Sequence, residues 1–196
     1  MYGMAMDTRE RLVESTRALL WERGYVGTSP AAILERAQVG QGSMYHYFRG
    51  KSDLAQAAME RTADEMKRQI ASDMSAPGSA FERIRSYLHR ERDVLKGCPI
   101  GRMTLDPEVY ASEPACVPLD DTFQWLCETL RGVLEEGKRA GEFSDSLPSA
   151  PVATALAAVV QGGYVLARAA HDPERFDDAV DGALELLAGF VRRPLD

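Results

Sequence analysis

The hydrogen-bonding side chains Thr28, Gln41, Ser43, Tyr45, His46, Tyr47 and Lys51 gather between residues 28 and 51. They supply hydroxyls, a carboxamide, phenols, an imidazole and an ammonium. Such groups suit phosphate oxygens and base edges, with hydroxyls and a lysine on the backbone and a carboxamide on an adenine. Gln41 is the best base reader on these grounds. Tyr45 and Tyr47 are phosphate contacts through their hydroxyls, and Lys51 anchors a phosphate as a point charge. Gly42 lets the backbone come close to a ligand. Thr28 has two readings: its hydroxyl reaches a phosphate beside a helix N-terminus, or it serves only as a helix cap. Met44 and Phe48 are expected to turn inward.

Other chemistries find little support. There is no G-x-S-x-G, no phosphate-binding loop and no dinucleotide fingerprint, and His89 and Cys98 are the only near pair for nucleophilic catalysis. The histidines at 46, 89 and 171 are scattered, and Cys98, Cys116 and Cys127 form no C-x-x-C. An enzyme, a metal site, a cofactor and a disulfide framework are therefore not expected. A purely structural or ligand-sequestering helical protein would leave the 28–54 pattern without a purpose.

These side chains need elements to hold them. Thr28 and Ser29 before Pro30 mark a helix start, and Ile33 and Ala37, four apart, share a buried face. Val39-Gly40 supplies a turn, residues 41–48 a second short helix, and Ser52 or Asp53 the cap of another running to about Ser75. The physical reading is a helix-turn-helix whose second helix is exposed to enter a groove. Ahead of it, residues 1–6 read as a frayed terminus, and Asp7-x-x-Glu10 as a capping box. Leu12, Thr16, Leu19 and Leu20 give a supporting helix ending at Arg23-Gly24, with Trp21 and Tyr25 packed on its small core.

Thr28, Ile33, Ala37, Val39, Gly42, Tyr45, Phe48, Lys51 and Leu54 stand in the register of one family: the stretch resembles the DNA-binding domain of TetR-type transcriptional repressors. The resemblance places Gln41, Ser43, Tyr45, His46 and Tyr47 at the major groove or its phosphate walls. Two positions depart from it. Many relatives carry a hydroxyl residue where this chain has Gly40 and a cation where it has Gln41, so operator preference is not transferable. A second resemblance, to the ligand-binding domain of the LmrA/YxaF-like branch, rests on GCPIG at 97–101, F-x-W at 123–125 and EEGKxxGE at 135–142.

After the motif the pattern stays helical, giving an all-α fold of about nine helices: a helix-turn-helix domain at 1–55 and a larger ligand-binding and dimerisation domain at 56–196. The domain boundary falls inside the helix from 51 to about 75, which makes that helix the expected lever between domains. Helices are predicted over 80–95, 102–110, 122–140, 150–171 and from 174 onward, with Pro114 and Pro118 framing a loop and Asp120 or Asp121 capping the helix at 122. The last two are apolar nearly all round and need partners on two sides. Val152, Leu156, Val160, Gly163, Val180, Leu184 and Leu187 are the expected homodimer interface, as a symmetric four-helix contact. The branch resemblance implies a hydrophobic effector pocket. Its candidates by chemistry are Met66, Tyr87, Met103, Tyr110, Phe123 and Cys127, with His89 and Trp125 as polar handles; plain core packing explains each of them equally well.

Net charge is −7, yet residues 1–55 carry seven basic against six acidic side chains and the remainder 16 against 24. The acidity lies away from the motif and would aim its end at DNA. No apolar run approaching the ~20 residues of a bilayer span is read, nor a signal peptide, so a cytoplasmic protein without a membrane partner is expected. The expected function is a ligand-responsive repressor on double-stranded operator DNA, released by a small hydrophobic effector. The alternative is a thiol redox-sensing regulator using Cys98, which lies between Lys96 and Arg102.

Overall fold

The computed structural model describes residues 7–192, so the frayed terminus read at residues 1–6 lies outside the described residues. Among the described residues ten helices follow one another: α1 (Thr8–Arg23), α2 (Pro30–Ala37), α3 (Gln41–Tyr47), α4 (Lys51–Met74), α5 (Ala80–Leu88), α6 (Pro99–Met103), α7 (Pro107–Tyr110), α8 (Glu113–Arg139), α9 (Ser149–Ala170) and α10 (Glu174–Ala188). The all-α expectation holds. Strand-type pairing among the described residues is a single antiparallel bridge between Phe143 and Val191.

Contacts gather these helices into two compact units that do not follow one cut near residue 55. The first comprises residues 7–65 together with 98–120; the second comprises 66–97 and 121–192. By contacts, helices α6 and α7 belong with the unit that holds the helix-turn-helix. Both α4 and α8 contain a boundary within their length.

In the first unit Leu12, Leu19, Leu20, Ile33, Met44, Phe48, Leu54 and Ala58 are buried. Polar ties add to this core. Arg17 donates to Thr62 (3.1 Å) and Glu14 (2.8 Å) and also pairs with Glu65, while Arg61 meets Glu10 at 2.5 Å. Burial would depress the Arg17 guanidinium, but Glu14 and Glu65 outweigh it and hold it above its ordinary value. The capping box at Asp7 does not form. Asp7 makes no side-chain cap bond, and Glu10 is taken by Arg61 from α4.

The second unit has a continuous apolar core in which Ile84, Tyr87, Leu126, Leu130, Phe143, Leu156, Val160, Phe176, Val180, Leu184 and Leu187 meet. Gly163 on α9 lies against Phe176, whose Cδ2 would be 2.8 Å from any added Cβ. Helix α5 stops at Leu88 instead of reaching 95. The Arg92 guanidinium folds back on the freed carbonyls, donating to Leu88 O at 2.6 Å, Arg90 O at 3.0 Å and Tyr87 O. Burial lowers the Arg92 pKa, against the raising influence of Tyr164 and Tyr87.

Three further expectations change. The 102–110 piece is two short helices, with Asp106 as the cap of α7. Pro114 and Pro118 lie inside α8, so Asp120 and Asp121 are interior and cap nothing. Pro114 falls in the first turn, where no N–H is needed. Helix α9 is long and apolar enough to cross a membrane by length and composition, at mean hydropathy 1.5, contrary to the sequence reading. Alanine and glycine fill its run, and about a third of it, 33%, is buried inside the protein.

Candidate nucleic-acid interface

The motif begins with a tight turn after α1. Gly24 adopts φ +75°, and its N–H donates to Leu20 O. A Cβ at Gly27 would stand 2.5 Å from the Arg23 carbonyl oxygen, so only glycine fits there. Thr28 is 1% exposed, and its hydroxyl donates to Gly24 O at 2.7 Å. This corrects the cap reading of Thr28. Its hydrogen is spent inside the turn, and the cap of α2 is Ser29, whose Oγ accepts from the Ala32 N–H at 3.2 Å. A threonine before serine was indistinguishable from a cap by type alone.

Ile33 and Ala37 bury α2 as predicted. The left-handed residue that ends α2 is Gln38 at φ 53°, while Gly40 is extended at φ −73° and N-caps α3 without a side chain. Helix α3 is then divided by its own period. Met44 and Phe48 are buried, and Gln41, Gly42, Tyr45, His46 and Tyr47 are exposed, with Ser43 half-buried. Tyr45 is 58% exposed, and nothing lies within 4 Å of a Cβ built on Gly42. His46 and Tyr47 meet edge to face at 4.8 Å.

The far end of α3 is pinned from two sides. The Arg9 guanidinium lies 5.4 Å over the Phe48 ring, and Lys51 Nζ is 3.9 Å over Tyr25. Helix α4 starts at Lys51 with neither Ser52 nor Asp53 ahead of it. Asp53 instead reaches back from the first turn to accept the Arg49 N–H at 3.0 Å, and that bond holds its carboxyl below the usual range. Tyr25 is pushed up by burial and then by Glu108 and Asp106. Sequence reasoning passed over Arg49, whose side chain is 93% exposed directly after α3. Its adjacency to Lys51 across Gly50 was the available signal.

The other predicted sites are scattered. Met103 and Tyr110 belong to the first unit, with Met103 buried in its core and Tyr110 79% exposed; the other six candidates belong to the second. Met66, Phe123, Trp125 and Cys127 are half-buried against the core of the second unit, and Tyr87 is within it. His89 is exposed and pairs with Asp181 at 3.2 Å, beside a surface hollow of about 600 Å³ lined also by Glu82, Arg85 and Ser86. Of the seven expected dimer residues, Leu156, Val160, Gly163, Val180, Leu184 and Leu187 are buried within this one chain, and Val152 packs against the same core. The free faces of α9 and α10 lie between them: Ala155, Ala158, Val165, Leu166 and Ala169 on α9, Gly182 and Leu186 on α10. Leu186 is 78% exposed, and a hollow of about 640 Å³ opens beside Leu166, Ala169 and Ala179. Cys98 is buried, and its Sγ accepts the Gly101 N–H at 3.2 Å as the cap of α6.

Comparison with known proteins gives two family matches. Residues 12–58 match "Bacterial regulatory proteins, tetR family", and residues 78–183 match "Tetracyclin repressor-like, C-terminal domain". The transcriptional regulator LmrA of Bacillus subtilis is 26% identical over 85% of this chain and 89% of its own. The transcriptional repressor DhaR of a Mycobacterium species is 25% identical over 91% of each. The crystal structure of reduced Escherichia coli NemR superposes with a TM-score of 0.83 at 25% identity, over 97% of this chain and all of that one.

Proposed function

The chain belongs to the tetR family of bacterial regulatory proteins, and from that premise we propose a homodimeric repressor that leaves its operator when a small hydrophobic effector binds. It is a DNA-binding regulator of transcription and not an enzyme. The observation that carries the reading is the division of α3. Two buried anchors, Met44 and Phe48, fix the helix, while Gln41, Ser43, Tyr45, His46 and Tyr47 share its open side. Gln41 reads a base edge; the tyrosine hydroxyls, Lys51 and Arg49 bind phosphates. A regulator acting on operator DNA would work in the cytoplasm.

A seven-residue helix makes few contacts, so recognition needs two copies. The second copy packs on the free faces of α9 and α10, where alanine, glycine, valine and leucine predominate and Arg175 and Asp178 stand at the hollow. Leu186 of each copy would enter the hollow beside Leu166 on the other. Two α3 helices would then enter successive major grooves ~34 Å apart. The effector contacts Met66, Phe123, Trp125 and Cys127, and favours a dimer with the wrong spacing. A redox trigger at Cys98 is not favoured, because its sulfur is buried and engaged as a helix cap.

Selection of bound duplexes from a random pool, followed by a screen for small molecules that release them, tests this reading. A pseudo-palindromic site bound in a salt-dependent manner is the expected result. Failure to retain any duplex at low salt would overturn it.

A further inference from the structure

Asp106 lies well inside the predicted ligand-binding portion in sequence order, yet its carboxylate is built into the turn that precedes the helix-turn-helix. Oδ2 accepts the Tyr25 N–H at 2.8 Å and the Val26 N–H at 3.0 Å. Oδ1 accepts the Glu108 N–H at 3.2 Å and the Val109 N–H at 3.5 Å, capping α7. The side chain is only 8% exposed. A buried polar group needs hydrogen-bond partners, and each N–H that bonds to this side chain is thereby fixed in direction. The turn has little slack elsewhere. Gly27 sits against Arg23 O, and the Thr28 hydroxyl ties the far end back to Gly24. Asp106 supplies the remaining acceptor, and it does so from 80 residues away.

We propose that Asp106 is a positioning residue for operator recognition. Its Oδ2 sets the direction in which the chain leaves the Gly24–Thr28 turn, and with it the placement of α2 and α3. The residues carrying Asp106, 98–120, are joined at both ends to the second unit, at residues 97 and 121. A change in that unit therefore has a covalent route to the turn. Asp106 touches no DNA; it acts through Tyr25 and Val26. The inference rests on the reading that α3 enters the groove.

Two variants separate positioning from folding. Asp106→Ser keeps a short hydroxyl able to cap α7 but unable to reach the turn. Asp106→Asn keeps the shape, yet its amide can accept from only one of the two sets of N–H groups. For each, affinity is measured for a selected operator and for a random duplex of equal length, with hydrogen exchange followed at residues 25–28 and at 126–134. Operator affinity is expected to fall at least tenfold while random-duplex affinity changes less than twofold. Exchange should rise at 25–28 and stay unchanged at 126–134. An unfolded fraction would instead lower both affinities equally, and that result overturns the proposal. So does Asp106→Ser with a wild-type operator-to-random ratio. Wild-type protein and Tyr45→Ala serve as references. If the wild type itself prefers no duplex, the DNA-binding reading fails; if it binds and only Tyr45→Ala loses preference, the reading stands and the role of Asp106 falls.

Discussion

The two units combine apolar packing and polar ties in different proportions. In the first, a small apolar core that anchors α3 through Met44 and Phe48 is supplemented by directional ties: Asp106 on the turn, Arg17 and Arg61 between α1 and α4, and Thr28 on Gly24. In the second, α5, α8, α9 and α10 share a continuous apolar core, with polar contacts at its margins. Apolar packing is non-directional and tolerates small adjustments, whereas a hydrogen bond weakens steeply with angle. The unit that carries the helix-turn-helix is the one in which directional ties supplement a small core, and the unit that carries α9 and α10 is the one held mainly by area.

This contrast can be broken at several points, with effects of decreasing size. Leu187→Glu puts a charge into the α10 core and should remove on the order of 4 kcal/mol of stability, read from the urea midpoint. Its neighbour Leu186→Glu should leave the helix content intact and halve the mass in solution; an unchanged mass would refute the proposed face. Gly27→Ala drives a methyl into the Arg23 carbonyl and should cost about 2 kcal/mol, whereas Gly42→Ala, in open space, should raise stability by up to about 1 kcal/mol yet weaken operator binding. Denaturation and gel retardation on the same two proteins would show whether fold and recognition part as expected. Tyr45→Ala should lower operator affinity about tenfold, ~1.4 kcal/mol, with an unaltered melting temperature.

The smallest effect concerns acid. The hydrogen bond from Arg61 holds the Glu10 carboxyl below the usual glutamate range. A group whose folded pKa is lowered stabilises the protein above its unfolded value of about 4.3, and that contribution disappears as pH falls through the lowered folded value. Glu10→Gln should therefore cost about 0.5 kcal/mol at neutral pH. It should also flatten the stability curve below about pH 4.3. A variant curve parallel to wild type throughout would show that the tie is inert.

Legibility in the sequence follows the same contrast. The α2–α3 register could be read because Ile33 with Ala37 and Met44 with Phe48 stand four apart and leave the exposed side by elimination. The inward face of α9 could not. Its apolar residues surround the helix, so period alone does not distinguish Val160, in the core, from Val165, outside it. The end of α5 depended on Arg92 returning to carbonyls up to five residues back, and a run of charged residues gives no notice of that. Asp106 was invisible for a simpler reason. Its acceptors serve donors 80 and 81 residues distant, while its local sequence announces only a helix cap.

The membership of residues 98–120 in the first unit bears on how such regulators could be recombined. A chimaera made by grafting residues 1–65 onto the effector domain of another regulator would leave the Tyr25 and Val26 N–H groups facing whatever the recipient carries at this position. The portable head is discontinuous. It consists of residues 1–65 and the excursion from 98 to 120, and a graft carrying both pieces would keep its own acceptor for the turn.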